Sequence, residues 1–146
     1  MPLPFLITCQ LPAPRLFELA DGRFQRIDKT PVSPFMAGYG YLLVEKALAV
    51  FLEGLDIERV RFEPAVLWDR GSGEILHTHA RLHVGQFFTI DQINDLPLDG
   101  LRLLTLGDEN YFASSELKSC LEASPFCYLQ FSEGLSEFGG IRAEIN

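Results

Sequence analysis

The feature that most constrains this chain is a change of hydrophobic period after Asp56. Val60, Phe62, Pro64, Val66 and Trp68 alternate with Arg59, Arg61, Glu63, Ala65 and Leu67. A period of two belongs to a strand with one buried face. Pro64 has no N–H to give to a ladder, so this strand has an edge or a bulge there. Asp69-Arg-Gly-Ser-Gly-Glu74 supplies a turn, and the alternation resumes with Leu76, Thr78, Ala80, Leu82 and Val84 against His77, His79, Arg81, His83 and Gly85. Two such runs around a Gly-rich turn predict an antiparallel hairpin at about 57–90. Its apolar face needs a second layer to cover it.

The rest of the chain offers that layer. Tyr41, Val44, Leu48, Phe51 and Leu55 follow three-and-four spacing, with Leu43, Ala47 and Val50 widening the stripe, which predicts a helix at about 41–54. Ser114 or Ser115 can cap a second helix at about 115–123, where Glu116 suits the positive N-terminal end. Phe5–Gln10, Leu101–Leu106 and Phe126–Phe131 read as further strands, and Asp21-Gly22 as a tight turn between two short extended pieces. The expected fold is therefore α+β, a mainly antiparallel sheet with the two helices packed on it. Glu45–Glu53 followed by Val60–Phe62 echoes Glu116–Glu122 followed by Leu129–Phe131, each a short amphipathic helix leading to an apolar strand.

With 146 residues, 47% hydrophobic and 22% charged, the expectation is one globular domain over 1–146, with a mobile tail at 132–146. Twelve Lys plus Arg against twenty Asp plus Glu give a net charge of −8. That argues against nucleic acid and anionic lipid as partners and favours a basic one. The apolar start, Met1–Pro14, carries four prolines and no basic residue, unlike a secretory signal. No run approaches the length of a membrane helix. Cys9, Cys120 and Cys127 are odd in number and form no C-x-x-C; Cys120 and Cys127 read as small buried hydrophobes. The expected compartment is the cytoplasm.

Two constellations can carry chemistry. His77, His79 and His83 fall on one strand face, and His77 with His79 has the spacing of a metal pair. His83 lies roughly 20 Å from His77 on a strand, so a third ligand would come from Asp69 or Glu74 across the hairpin. The plainer reading is a solvated polar face that also carries Arg81. Asp91, Asp95, Asp99, Asp108 and Glu109 flank Leu101–Leu106 on loops, either as solvated carboxylates or as a negative docking patch. Gly38-Tyr-Gly40 and Gly71-Ser-Gly73 are too short for phosphate-binding fingerprints, and there is no nucleophile elbow.

The order of elements resembles that of immunity proteins of bacterial polymorphic toxin systems, in a group once catalogued only as a domain of unknown function. The residues that carry the likeness are a Ser33-led helix with Leu-Glu-Gly-Leu-Asp-Ile-Glu-Arg-Val-Arg-Phe-Glu-Pro64, then Gly73-Glu-Ile-Leu-His-Thr-His79 and a strand. They continue with the Leu96–Leu101 turn, Tyr111-Phe-Ala-Ser-Ser-Glu-Leu-Lys118 and a closing Leu-Gln-Phe131, so the likeness spans roughly 32–131. His77-Thr-His79 stands where members of that group have a tyrosine-rich strand. The resemblance implies a binding protein rather than an enzyme, without cofactor, that occludes the active site of a cognate toxin. A basic, cytoplasm-acting toxin, such as a nuclease delivered by type VI secretion, suits the charge. Trp68, Tyr111 and the carboxylates Asp91, Asp95, Asp99, Asp108 and Glu109 are the contact residues it suggests. Two other classes stay open on the residues themselves: a small metal-dependent hydrolase using His77 and His79, and a ligand-binding module.

Overall fold

The computed structural model describes residues 2–136. In chain order the elements are β1 (Phe5–Cys9), β2 (Leu16–Glu18), β3 (Phe24–Arg26), β4 (Phe35–Gly38), β5 (Tyr41–Glu45), α1 (Lys46–Gly54), β6 (Val60–Trp68), β7 (Ile75–Val84), β8 (Phe87–Phe88), β9 (Leu103–Leu106), β10 (Asn110–Ala113), α2 (Ser115–Glu122) and β11 (Leu129–Glu133). A single 3₁₀ turn, Ile90–Gln92, follows β8. The fold is α+β, with mostly antiparallel strands. Instead of one sheet there are two, ordered β11-β1-β10-β9-β8 and β2-β3-β6-β7-β5-β4. Among the described residues only the β3–β6 and β8–β9 pairings are parallel.

The hairpin read from the alternation is β6–β7, with Phe62 opposite Leu82 and Val60 opposite Val84. Beside Pro64, β6 has β7 on one side only, because β3 joins it at Leu67 and Trp68, and a register shift follows between Ala65 and Leu67. Pro64 thus sits at an edge beside a bulge, where its missing N–H costs nothing.

Tyr41–Val44 departs from the expected helix. These residues form β5, and α1 begins only at Lys46. Tyr41, Leu42, Leu43 and Val44 are all buried because the strand has apolar layers on both faces. A strand covered on both sides loses its alternation and imitates helical spacing. Glu45 occupies the N-cap without capping the helix; its Oε2 instead accepts from the Tyr128 hydroxyl at 2.6 Å. The second helix starts as its sequence says, with Ser114 Oγ accepting from Leu117 N.

One core joins the two sheets. Ile7, Leu103, Tyr111 and Ala113 from the first sheet meet Phe35, Leu42, Val44, Leu82 and Val84 from the second, with Leu48 and Leu52 of α1 and Leu117 and Leu121 of α2 among them. Each sheet also buries part of its other face. Leu6, Leu104 and Phe112 pack there with Phe88 and Leu98, while Phe24, Met36, Leu43 and Leu67 form the corresponding layer of the second sheet.

The two halves share one connectivity. β4–β5 is a hairpin, followed by α1 and β6, and β7 lies between β5 and β6, antiparallel to both. β9–β10 is likewise a hairpin, followed by α2 and β11, and β1 lies between β10 and β11, antiparallel to both. The sequence echo between Glu45–Phe62 and Glu116–Phe131 therefore falls on equivalent positions of a split β-α-β unit that occurs twice. Of the expected tail, Ser132 and Glu133 belong to β11, and 137–146 lie outside the described residues.

Candidate functional site

The sheets diverge where the chain crosses from β7 to β8, leaving an open cleft of about 580 Å³. The crossing is tight. Gly85 N donates to Arg59 O at 2.7 Å, and a Cβ at residue 85 would lie 3.2 Å from that same oxygen. Arg59 itself is left-handed, with φ of 61°, a conformation that glycine adopts far more readily than arginine. One residue further, Thr105 N donates to Gln86 O at 2.9 Å and locks the crossing onto β9. Opposite, the β4–β5 and β9–β10 turns meet through Gly40 N donating to Asp108 O at 2.9 Å.

Arg81 is held on the wall of the cleft by two bonds, Nη1 to Glu18 Oε2 at 2.8 Å and Nη2 to Gly40 O at 2.9 Å. His83 Nε2 meets Glu63 Oε1 at 2.6 Å, which holds the Glu63 carboxyl below its usual range; Arg61 reaches Glu63 only at 3.6 Å. Among the described residues Arg59 has no ion-pair partner. Solvent-facing Phe87, 62% exposed, lines the cleft, and Tyr39, 85% exposed, precedes the lining Gly40 on its turn. Underneath, burial pushes the Tyr111 phenol up to about 12. The Thr105 hydroxyl is near enough to that phenol to favour its ionised form slightly, yet has no partner in hydrogen-bonding geometry.

Of the residues singled out from sequence, the cleft gathers two. Asp108 lines it from a left-handed turn, and Tyr111 forms part of the floor with its ring buried in the core and only a long contact, 3.5 Å, from its hydroxyl to Asp108 O. Glu109 is exposed on the same turn and lines a different groove, between β1 and β4. Asp91 is exposed within the 3₁₀ turn, where it accepts from the Thr89 hydroxyl, and Asp95 and Asp99 are exposed on the connection after it. Trp68 lies at the far end of β6, roughly 26 Å along the strand from Val60, half-buried under the Arg23 guanidinium at 4.6 Å. Beside it, Asp69 is held below its usual range by the Gly71 N–H and pairs with Arg26 at 2.9 Å.

The histidine stripe is not uniformly solvated. His77 is exposed and His83 half-buried, but His79 is 4% exposed. The loop before β4 lies over it, and Ser33 O accepts a hydrogen bond from Nε2 at 2.8 Å. Since a carbonyl only accepts, Nε2 carries the hydrogen, and Nδ1 accepts from the Thr78 hydroxyl at 2.8 Å. Burial pushes the His79 pKa below 6.5, so the ring is neutral, with both nitrogens occupied. Among the described residues no three of His, Cys, Asp and Glu stand close enough to hold a metal ion. The cysteines are free, and Cys127 is exposed rather than buried, with Cys9 and Cys120 half-buried. No helix of the described residues is long and apolar enough to cross a membrane.

Sequence reasoning missed Arg59, Thr105 and Phe87. The available signal was the pair Phe87-Phe88 just after Gly85-Gln86, two aromatics with opposite fates in a two-residue strand. Compared with family models, curated proteins and solved structures, the chain matches none.

Proposed function

We propose that this protein binds and neutralises a cognate bacterial toxin, acting by occlusion and not by turnover. The observation that carries the reading is the mouth of the cleft: solvent-facing Phe87 lines a concave surface with Arg59 and Arg61, and exposed Tyr39 is the chain neighbour of the lining Gly40. Aromatic and arginine side chains at a concavity are the composition of binding hot spots. The cleft walls are preformed. Turn-to-turn and crossing hydrogen bonds fix them, so a partner would not have to order them on docking.

Asp108 and Glu109 project from the adjoining turn, and the net charge of −8 attracts a basic toxin such as a nuclease or another effector acting in the cytoplasm. Delivery by a contact-dependent machine such as type VI secretion fits that setting. Asp91, Asp95 and Asp99 would contribute to steering rather than to the buried contact.

The test is capture and rescue together. Tagged protein from its native host is expected to retain one large partner whose C-terminal domain kills when expressed alone and is harmless when co-expressed with this chain. Tyr39→Ala and Phe87→Ala should each weaken the complex by about 2 kcal/mol, some thirtyfold in Kd, whereas Val50→Ala on exposed α1 surface should not. A partner that is not toxic, or rescue that survives both aromatic substitutions together, would refute the reading.

A further inference from the structure

We infer that the cleft between the sheets is a binding site for a small organic oxyanion, a carboxylate or phosphate group carried on an aromatic body. The inference is independent of any toxin and starts from hydrogen bonds that are missing. Among the described residues three buried side-chain polar atoms have no partner: Arg81 Nε, Gln86 Oε1 and Thr105 Oγ1. Two of them belong to one place. Arg81 and Thr105 line the cleft, whereas Gln86 lies off the lining at the crossing, and its Oε1, an acceptor, is not a group an anion satisfies. Buried polar groups are nearly always satisfied, and the two orphans of the lining, a guanidinium N–H and a hydroxyl, are both donors that suit an oxyanion.

The charge of the lining gives that group its sign. In a chain of net charge −8, the cleft brings Arg59, Arg61 and Arg81 together against one lining carboxylate, Asp108. Arg81 is committed to Glu18, and Glu63 is shared between His83 and Arg61. Arg59, with no ion pair among the described residues, is the free cation, and its left-handed backbone is pinned by Gly85. Strain kept at a pinned, charged residue in a cleft is a common mark of a working site. Phe87, 62% exposed, offers a ring face for an aromatic body, and about 580 Å³ is within the range of small-molecule sites.

Amide NMR titration of the full chain with phenyl phosphate, benzoate, inorganic phosphate and neutral benzamide tests this. Saturable shifts at Gly40, Gly85 and Thr105 are expected with phenyl phosphate or benzoate at millimolar concentration, and the tighter of the two identifies the head group. Benzamide should bind at least about tenfold more weakly than benzoate. Arg59→Gln with Arg61→Gln, both exposed and so without effect on folding, should weaken the anions by at least about tenfold, while Lys29→Gln changes nothing. Phe87→Ala should weaken the aromatic anions and leave inorganic phosphate unaltered. Equal binding of benzamide and benzoate, shifts that never saturate, or affinity that survives loss of both arginines would overturn the proposal.

Discussion

His79→Leu isolates a single buried histidine, and its effect has a sign that depends on pH. Leucine fills nearly the same volume but offers no donor, so Ser33 O, in a residue 2% exposed, loses its partner at 2.8 Å. An orphaned buried carbonyl costs about 1–3 kcal/mol, whereas Thr78, on the exposed side, recovers a water. Near neutral pH the variant should therefore be about 2 kcal/mol less stable. The pH dependence runs the other way. The folded-state pKa of His79 is depressed below 6.5 by burial, against smaller opposing pulls from the Ser33 carbonyl and then Glu45. Unfolded chain then binds the proton first, and wild type loses stability as pH falls from 6.5 toward the folded value, by up to about 1.4 kcal/mol per unit. Leucine has nothing to protonate there. The gap between the two proteins should narrow as pH drops below 6.5. Urea unfolding followed by the fluorescence of the one tryptophan, Trp68, gives both curves. A gap that stays constant or widens in acid would mean that the folded protein carries His79 protonated, and the neutral Nε2–H assignment would be wrong.

Three further substitutions probe the frame around the cleft. Ser114→Ala should cost about 2–3 kcal/mol in denaturant unfolding, because one buried hydroxyl donates to Gly100 O at 2.7 Å and accepts from Arg102 N and Leu117 N. Gly38→Ala places a Cβ 2.2 Å from Tyr41 Cζ and must expel that ring, so a loss of about 1–3 kcal/mol is expected, with a less-than-additive double variant Gly38→Ala/Tyr41→Leu. Arg59→Gly relieves a left-handed backbone at φ 61° and should raise stability by about 1 kcal/mol while weakening whatever the cleft binds; unchanged or lower stability would show that the arginine is not strained.

What could be read from sequence follows from how many faces each segment buries. β6–β7 keeps polar and apolar faces apart over much of its length, so its alternation survives, and Ser114 with Glu116 marks α2 because caps are local. β5 is buried on both faces, so its pattern erases the boundary with α1. The split into two sheets was not legible at all: β1 pairs with residues more than a hundred positions away, and no period records a partner. The site follows the same rule. Asp108 and Tyr111 could be picked out as residue types, but the cleft exists because the chain changes sheets at Gly85–Gln86, bringing Arg59 and Thr105 to one place. His79 reads as solvated until the Ser33 loop is laid over it.

The repeated unit also sets an order of assembly. In the first half every strand of the split β-α-β comes from one continuous stretch, Phe35 to Val84, so it can close as soon as that stretch has left the ribosome. The second half takes its middle strand from the other end of the chain, with Leu6 between Phe112 and Ser132. During synthesis β1 is among the first segments out and waits for partners made last, with both edges open to other strands. Such distant pairing closes slowly, after the nearer contacts are in place. The expected nascent intermediate is therefore a finished second sheet trailing an unpaired apolar strand, Phe5-Leu-Ile-Thr-Cys9, and that strand is where a chaperone would hold the chain and where aggregation would begin when β11 is cut away.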